Sequence, residues 1–229
     1  NDIIRIRFNE FRINVAVLKR ILHIGVPAGI QGMVFALSNL VIQSAINSLG
    51  PVVMAASAAA FNIEIMAYFI INSFGQVTST FIGQNYGARQ MDRCKQVTRI
   101  CMIQDIIVTL IISVLILFFD HTLLGIFNGD AAVITYGSIR LFWVVAPEFI
   151  NTVLEVLSGA MRGYGNSLIP AMVILLGICG TRVTYVYTVF PLSPSFENLM
   201  KVFPISWSIT AVVLIFAYFQ FMKHVAVKA

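Results

Sequence analysis

Three carboxylates, Glu64, Glu148 and Glu155, lie inside long apolar runs. An ionised acid in hydrocarbon costs roughly 2.5–3.5 kcal/mol even on lenient insertion scales, so such residues face a polar cavity, a partner or a proton path. Their neighbours repeat at helical spacing. Glu148, Asn151, Glu155, Ser158 and Arg162 fall at i, i+3, i+7, i+10 and i+14, which draws one polar stripe along a helix. Glu64, Tyr68, Asn72, Gln76 and Ser79 form a second stripe, and Gln31, Ser38, Asn39, Gln43 and Asn47 a third with some drift. Arg182 sits in the middle of ICGTRVTYVY, where it must be paired or snorkel; a strut to Glu155 on the preceding span is one reading and a substrate-binding arginine the other, since the sequence does not fix helix rotation. Three such stripes describe a hydrated cavity in a helical bundle, suited to binding a proton or a cation. The competing reading is hydrogen bonding that only joins helices.

Other chemistries lack their templates. Gly83–Arg89 is glycine-rich, yet it has no Lys-Ser/Thr pair and follows an apolar run rather than a strand, so it is expected to turn the chain and not to cradle phosphate. Arg162–Asn166 is a second glycine turn. No HExxH or Ser/His/Asp arrangement is present, and no enzyme activity or cofactor is expected beyond a coupling H+ or Na+. Cys94, Cys101 and Cys179 have neither metal nor CxxC spacing and read as free thiols. The net charge of +5 reflects basic residues beside apolar segments, so no nucleic-acid partner is expected.

The elements that carry these residues are membrane helices. Hydrophobic residues make up 59% of the 229 and charged residues 11%, too few charges for a soluble surface, which carries about 25%. Runs such as 106–119 do not alternate, which excludes barrel strands. Six spans of sufficient length are expected at about 21–47, 52–80, 97–119, 138–161, 168–190 and 200–222. Residues 1–20 read as an amphipathic linker and 223–229 as a tail. The chain begins at Asn1 without a signal-peptide pattern and reads as part of a longer or processed protein.

Six spans put both ends on one side. That side carries five basic residues in the linker, Arg89, Arg93, Lys95 and Arg99 in the turn, then Arg162, Lys223 and Lys228: twelve of the fifteen Lys and Arg. Arg140 and Lys201 fall near the opposite loops, with Asp120, Asp130 and Glu197. Both termini are therefore expected in the cytoplasm.

Three motifs in register resemble the second half of the multidrug and toxic compound extrusion (MATE) transporters. They are Ile24-Gly25-Val26-Pro27-Ala28 followed by Gln31; Phe81–Ala88 followed by Arg93; and Ala160–Asn166 with Pro170 and then Arg182. The resemblance implies an all-α integral membrane fold, six helices forming one lobe of a twelve-helix transporter. The other lobe, an N-terminal one or a second copy, would be the partner in the bilayer. The activity implied is export of small cationic amphipathic drugs in exchange for protons or sodium, by alternating access. Some sodium-coupled members carry acids where this chain has Phe35 and Asn151; Glu64, Glu148 and Glu155 stand here instead, as in the bacterial branch related to the DNA-damage-inducible type. Two alternatives are a lipid-linked oligosaccharide flippase of the wider superfamily and a non-transporting or half-size membrane fragment that needs a partner lobe.

Overall fold

The fold is known from a computed structural model that describes residues 14–228, and among these every regular element is helical. The order is α1 (Val15–Asn47), α2 (Pro51–Gly87), α3 (Met91–Phe118), α4 (Asp120–Phe127), α5 (Ala131–Val145), α6 (Glu148–Gly163), α7 (Leu168–Ile174), a π-helical segment (Leu175–Gly180), α8 (Thr181–Thr188), a short 3-10 turn, α9 (Phe196–Met200) and α10 (Val202–Lys228). Five helices are long and apolar enough to cross a membrane, and α5 with α6 makes a sixth, bent by 42°. Residues 1–13 of the expected linker lie outside the described residues, and residues 15–20 already belong to α1. The expected tail continues α10 as far as Lys228.

Local chemistry sets the ends. Asn14 caps α1 by accepting from the N–H of Ala16 and Val17 at 3.0 and 3.3 Å. Pro51 starts α2, where a missing N–H is harmless. Asp130 caps α5 through the N–H of Ala132 at 2.8 Å. The fourth span starts at Ala131, seven residues before its expected position, and breaks at Ala146-Pro147 because proline cannot donate to the helix ladder. Ser113 on α3 donates to the Val145 carbonyl at 3.0 Å, which satisfies a backbone acceptor at the break.

The basic turn is tighter than the sequence suggests. Helix α2 continues through Gly83 to Gly87, and α3 begins at Met91. The residue in the left-handed region is Arg89, with φ 58°, not a glycine. Its helix end is closed by Gln90 N–H donating to the Asn85 carbonyl at 2.8 Å. The second turn does use glycine, since Gly165 takes φ 88°.

The centre of the lobe is the crossing of α2 and α6. Gly159 and Gly163 form a GxxxG step on α6. A β-carbon at Gly159 would collide with the Gly75 carbonyl, and one at Gly163 would lie 2.8 Å from the Ser79 carbonyl. The two backbones are therefore in contact. A larger core gathers α1, α6, α8, α9 and α10 around Ile46, Leu154, Met161, Phe203, Trp207 and Leu214. All three cysteines are buried free thiols.

Gly159→Val should destabilise the lobe by more than the ~1–3 kcal/mol of ordinary overpacking, because the obstacle is backbone. Gly87→Ala, with open space around the new methyl, should be neutral or stabilising by up to ~1 kcal/mol. Thermal unfolding in detergent, compared with the unsubstituted protein, checks both.

Candidate functional site

The stripes on α2 and α6 meet along the glycine crossing. Glu64 lies on α2 one face-turn from Tyr68, and its carboxylate forms a buried ion pair with Arg140 of α5. Arg140 Nε donates to Glu64 Oε2 at 3.0 Å, its terminal nitrogen donates to the second oxygen, and a further N–H reaches Ser57. Arg140 thus stands well inside the lobe rather than at an outer loop. The early start of α5 puts a rise of nine residue steps, about 14 Å, between Ala131 and this arginine.

Glu148 is the first residue after the break and only 3% exposed. Asn151 donates to its Oε1 at 3.1 Å, so these two members of the α6 stripe act together. Glu155 turns toward α2, where its Oε2 would lie 3.2 Å from a β-carbon on Gly75. Its ion pair is with Arg162, two turns further along α6, at 3.9 Å.

Arg182 is 1% exposed. Among the described residues its ion-pair partner is not Glu155; one guanidinium N–H donates to Asn39 Oδ1 on α1 at 2.8 Å, and Nε has no hydrogen-bond partner. Helix rotation explains the difference. Glu155 faces α2, whereas Arg182, just beyond the π segment, faces α1 and α10. Its charge lies over two rings, Phe203 at 4.6 Å and Phe35 at 5.2 Å. Arg140 lies on the same Phe203 ring at 5.9 Å.

The remaining stripe residues fall into two groups. Asn72 donates to the Tyr68 hydroxyl at 3.5 Å and accepts from Gln76 at 2.7 Å, so the α2 stripe is a hydrogen-bonded ladder that becomes more exposed toward Gln76. Gln31 is half-buried on α1 and separate from the acid network; Gln43 and Asn47, on the same helix, bond to each other at 2.9 Å.

Asp105 was not among the expected site residues. It is fully buried on α3, with Thr109 donating to one oxygen at 3.3 Å and the other oxygen unpartnered. Thr109 also meets Thr152 of α6 at 3.2 Å. The signal was present: an acid inside the apolar run IQDIIVTL is as costly as Glu64 and follows the same rule. Phe203 and Ser57 carried no such signal.

The MatE family model matches residues 27–188, and the chain belongs to that family, whose members are multi-pass membrane transporters and not enzymes. It is 25% identical over 90% of its length to the probable multidrug resistance protein YoeA of Bacillus subtilis, covering 44% of that protein. It is 28% identical over 67% of its length to the probable multidrug resistance protein NorM of Pasteurella multocida, covering 33% of it. The fold resembles the Vibrio cholerae MATE transporter VcmN in its bent form, with TM-score 0.82 and 17% identity over 90% of this chain and 47% of that one. It also resembles a MOP-superfamily transporter from Pyrococcus furiosus, with TM-score 0.79 and 22% identity over 90% of this chain and 45% of that one. The chain spans less than half the length of the curated relatives it matches.

Glu64→Gln should leave Arg140 as an uncompensated buried charge and lower stability by ~3–5 kcal/mol. The paired change Glu64→Leu with Arg140→Met should recover most of that loss. A double-mutant cycle on unfolding in detergent measures the coupling; additive losses would mean that the two side chains do not act as a pair.

Proposed function

We propose that this chain is the C-terminal six-helix lobe of a multidrug efflux antiporter, driven by a proton or sodium gradient and working by alternating access. A second, N-terminal lobe would complete the pathway, and both ends of this chain would face the cytoplasm. The observation that carries the reading is Glu148: a buried carboxyl at the break of a spanning helix, with an amide as its hydrogen-bond partner. Membership of a transporter family supports it, as does the length of the relatives, about twice that of this chain or more.

The chemistry follows from burial. Glu64 is neutralised by Arg140 and serves as a strut. Glu148, Glu155 and Asp105 have weaker partners than Glu64, so a bound H+ or Na+ lowers the cost of keeping them there. The ion would stabilise one access state and its release the other, and the drug would share the second state. Small cationic amphipathic substrates suit the aromatic residues and the ladder Tyr68–Gln76, half-buried except at Gln76, on the face where a partner lobe would sit. Asn39 and Arg182 would hold α1 and α8 together across that change, with Gln31 and Asn151 as further polar contacts.

A flippase for lipid-linked oligosaccharides would want several free arginines in the cavity. The structure adds Arg140 to Arg182, but Arg140 is already neutralised by Glu64, which favours the antiporter reading.

Efflux of a cationic dye from vesicles, measured for the full-length protein under separate proton and sodium gradients, tests the proposal. Dye should move under one gradient, and Glu148→Gln should remove that movement by tenfold or more, a loss of about 1.4 kcal/mol or greater. Movement under neither gradient would sink the antiporter reading. Unchanged efflux in Glu148→Gln, Glu155→Gln and Asp105→Asn would remove the ionic role from this lobe.

A further inference from the structure

The turn between α2 and α3 carries chemistry that ion coupling does not use. Beside it, a groove of about 390 Å³ opens between the end of α2 and the start of α3. Its lining is graded along the helix axes. Gln84, Asn85 and Arg93 lie toward the turn, Phe81 and Ile100 lie deeper, and Gln96 and Val97 fall side by side between them. From Arg93 to Ile100 is a rise of about 10 Å. Phe81 is 50% exposed and Ile100 53%, so the deep end presents apolar surface that suits hydrocarbon.

The apolar end of the groove also lies off the ladder face of α2. At about 100° per residue, Phe81 lies roughly 140° around α2 from Gln76, on the opposite flank from the Tyr68–Gln76 ladder.

Charge at the turn is one-sided. Arg89, Arg93, Lys95 and Arg99 share the span with one carboxylate, Asp92, which lies 3.8 Å from Lys95. Arg93 has no carboxylate at ion-pair distance among the described residues. Arg89 takes the left-handed conformation that glycine adopts without strain, so a cation stands at the tip where backbone geometry alone favours glycine.

We propose that this groove binds an anionic glycerophospholipid, its phosphate at Arg93 and Gln96 and its acyl chains along Phe81, Val97 and Ile100. A planar guanidinium suits a phosphate by paired N–H donation, and the amides add neutral donors and acceptors beside it. Free inorganic phosphate would use the polar end alone. The acyl contacts are what make the occupant a lipid. The proposal rests on the membrane placement of the family, and on the proposed orientation only for which leaflet supplies the lipid.

Native mass spectrometry of the full-length protein in mixed micelles of phosphatidylglycerol and phosphatidylcholine tests it. Phosphatidylglycerol should be retained in preference. Arg93→Gln should weaken its retention about fivefold and abolish the preference. Phe81→Asn should weaken retention of both lipids, and excess inorganic phosphate should displace neither. Lys95→Gln makes the same charge change outside the groove and should leave retention unchanged. Intact preference in Arg93→Gln, an equal loss in Lys95→Gln, or displacement by phosphate would each overturn the proposal. Micelles have no sides and no transport step, so a reversed orientation or an uncoupled carboxylate alters none of these readings.

Discussion

The backbones of α2 and α6 touch at Gly75 and Gly159, and much of the lobe is arranged by that contact. Lipid offers no hydrophobic drive for one helix to seek another, so close approach, dispersion and interhelical hydrogen bonds must supply the association. Glycines at 75, 159 and 163 permit it; a single β-carbon at Gly159 would push the carbonyl of Gly75 away. Because the two helices meet there, their polar stripes run side by side. The Glu155 carboxylate rests against Gly75, and Tyr68, Asn72 and Gln76 continue along the neighbouring face.

Buried charge is the second constraint, and the lobe meets it in three ways. Glu64 and Arg140 neutralise each other across α2 and α5 with three hydrogen bonds, one of them to Ser57. Glu155 and Arg162 share α6 at a longer 3.9 Å. Arg182 has an amide oxygen and two ring faces, a softer environment in which one N–H stays unpartnered. The gradation bears on function. A fully paired charge is a strut, while a charge with weak partners is one whose neighbours or ligands can change its cost.

Irregular backbone lies next to the charges with weak partners. Glu148 follows the break at Pro147, and Arg182 follows the π segment Leu175–Gly180 by two residues. Broken and π-helical turns free backbone groups that only a protein-lined site can satisfy, as Ser113 does for Val145. At the π segment Gly177 lets Thr210 of α10 close against the backbone.

Much was legible in the residues alone. Scarcity of charge and long apolar runs determine a helical membrane protein; helical spacing determines which polar residues share a face; three motifs determine the family. The ladder on α2 and the Glu148–Asn151 pair follow directly, because both are local to one helix and spacing suffices. Asp105 obeyed the same rule and was readable by it. The partners were another matter. That Arg140 binds Glu64, that Glu155 turns to Gly75 and Arg162, and that Arg182 settles on Asn39 and two phenylalanines depend on helix rotation and on which spans are neighbours. The early start of α5 at Ala131 placed Arg140 in the interior rather than at an outer loop, and Arg89, not a glycine, took the left-handed turn. A chain fixes what cannot face lipid by composition and period; only the packed bundle decides what each such group faces instead, since that is a relation between helices distant in sequence.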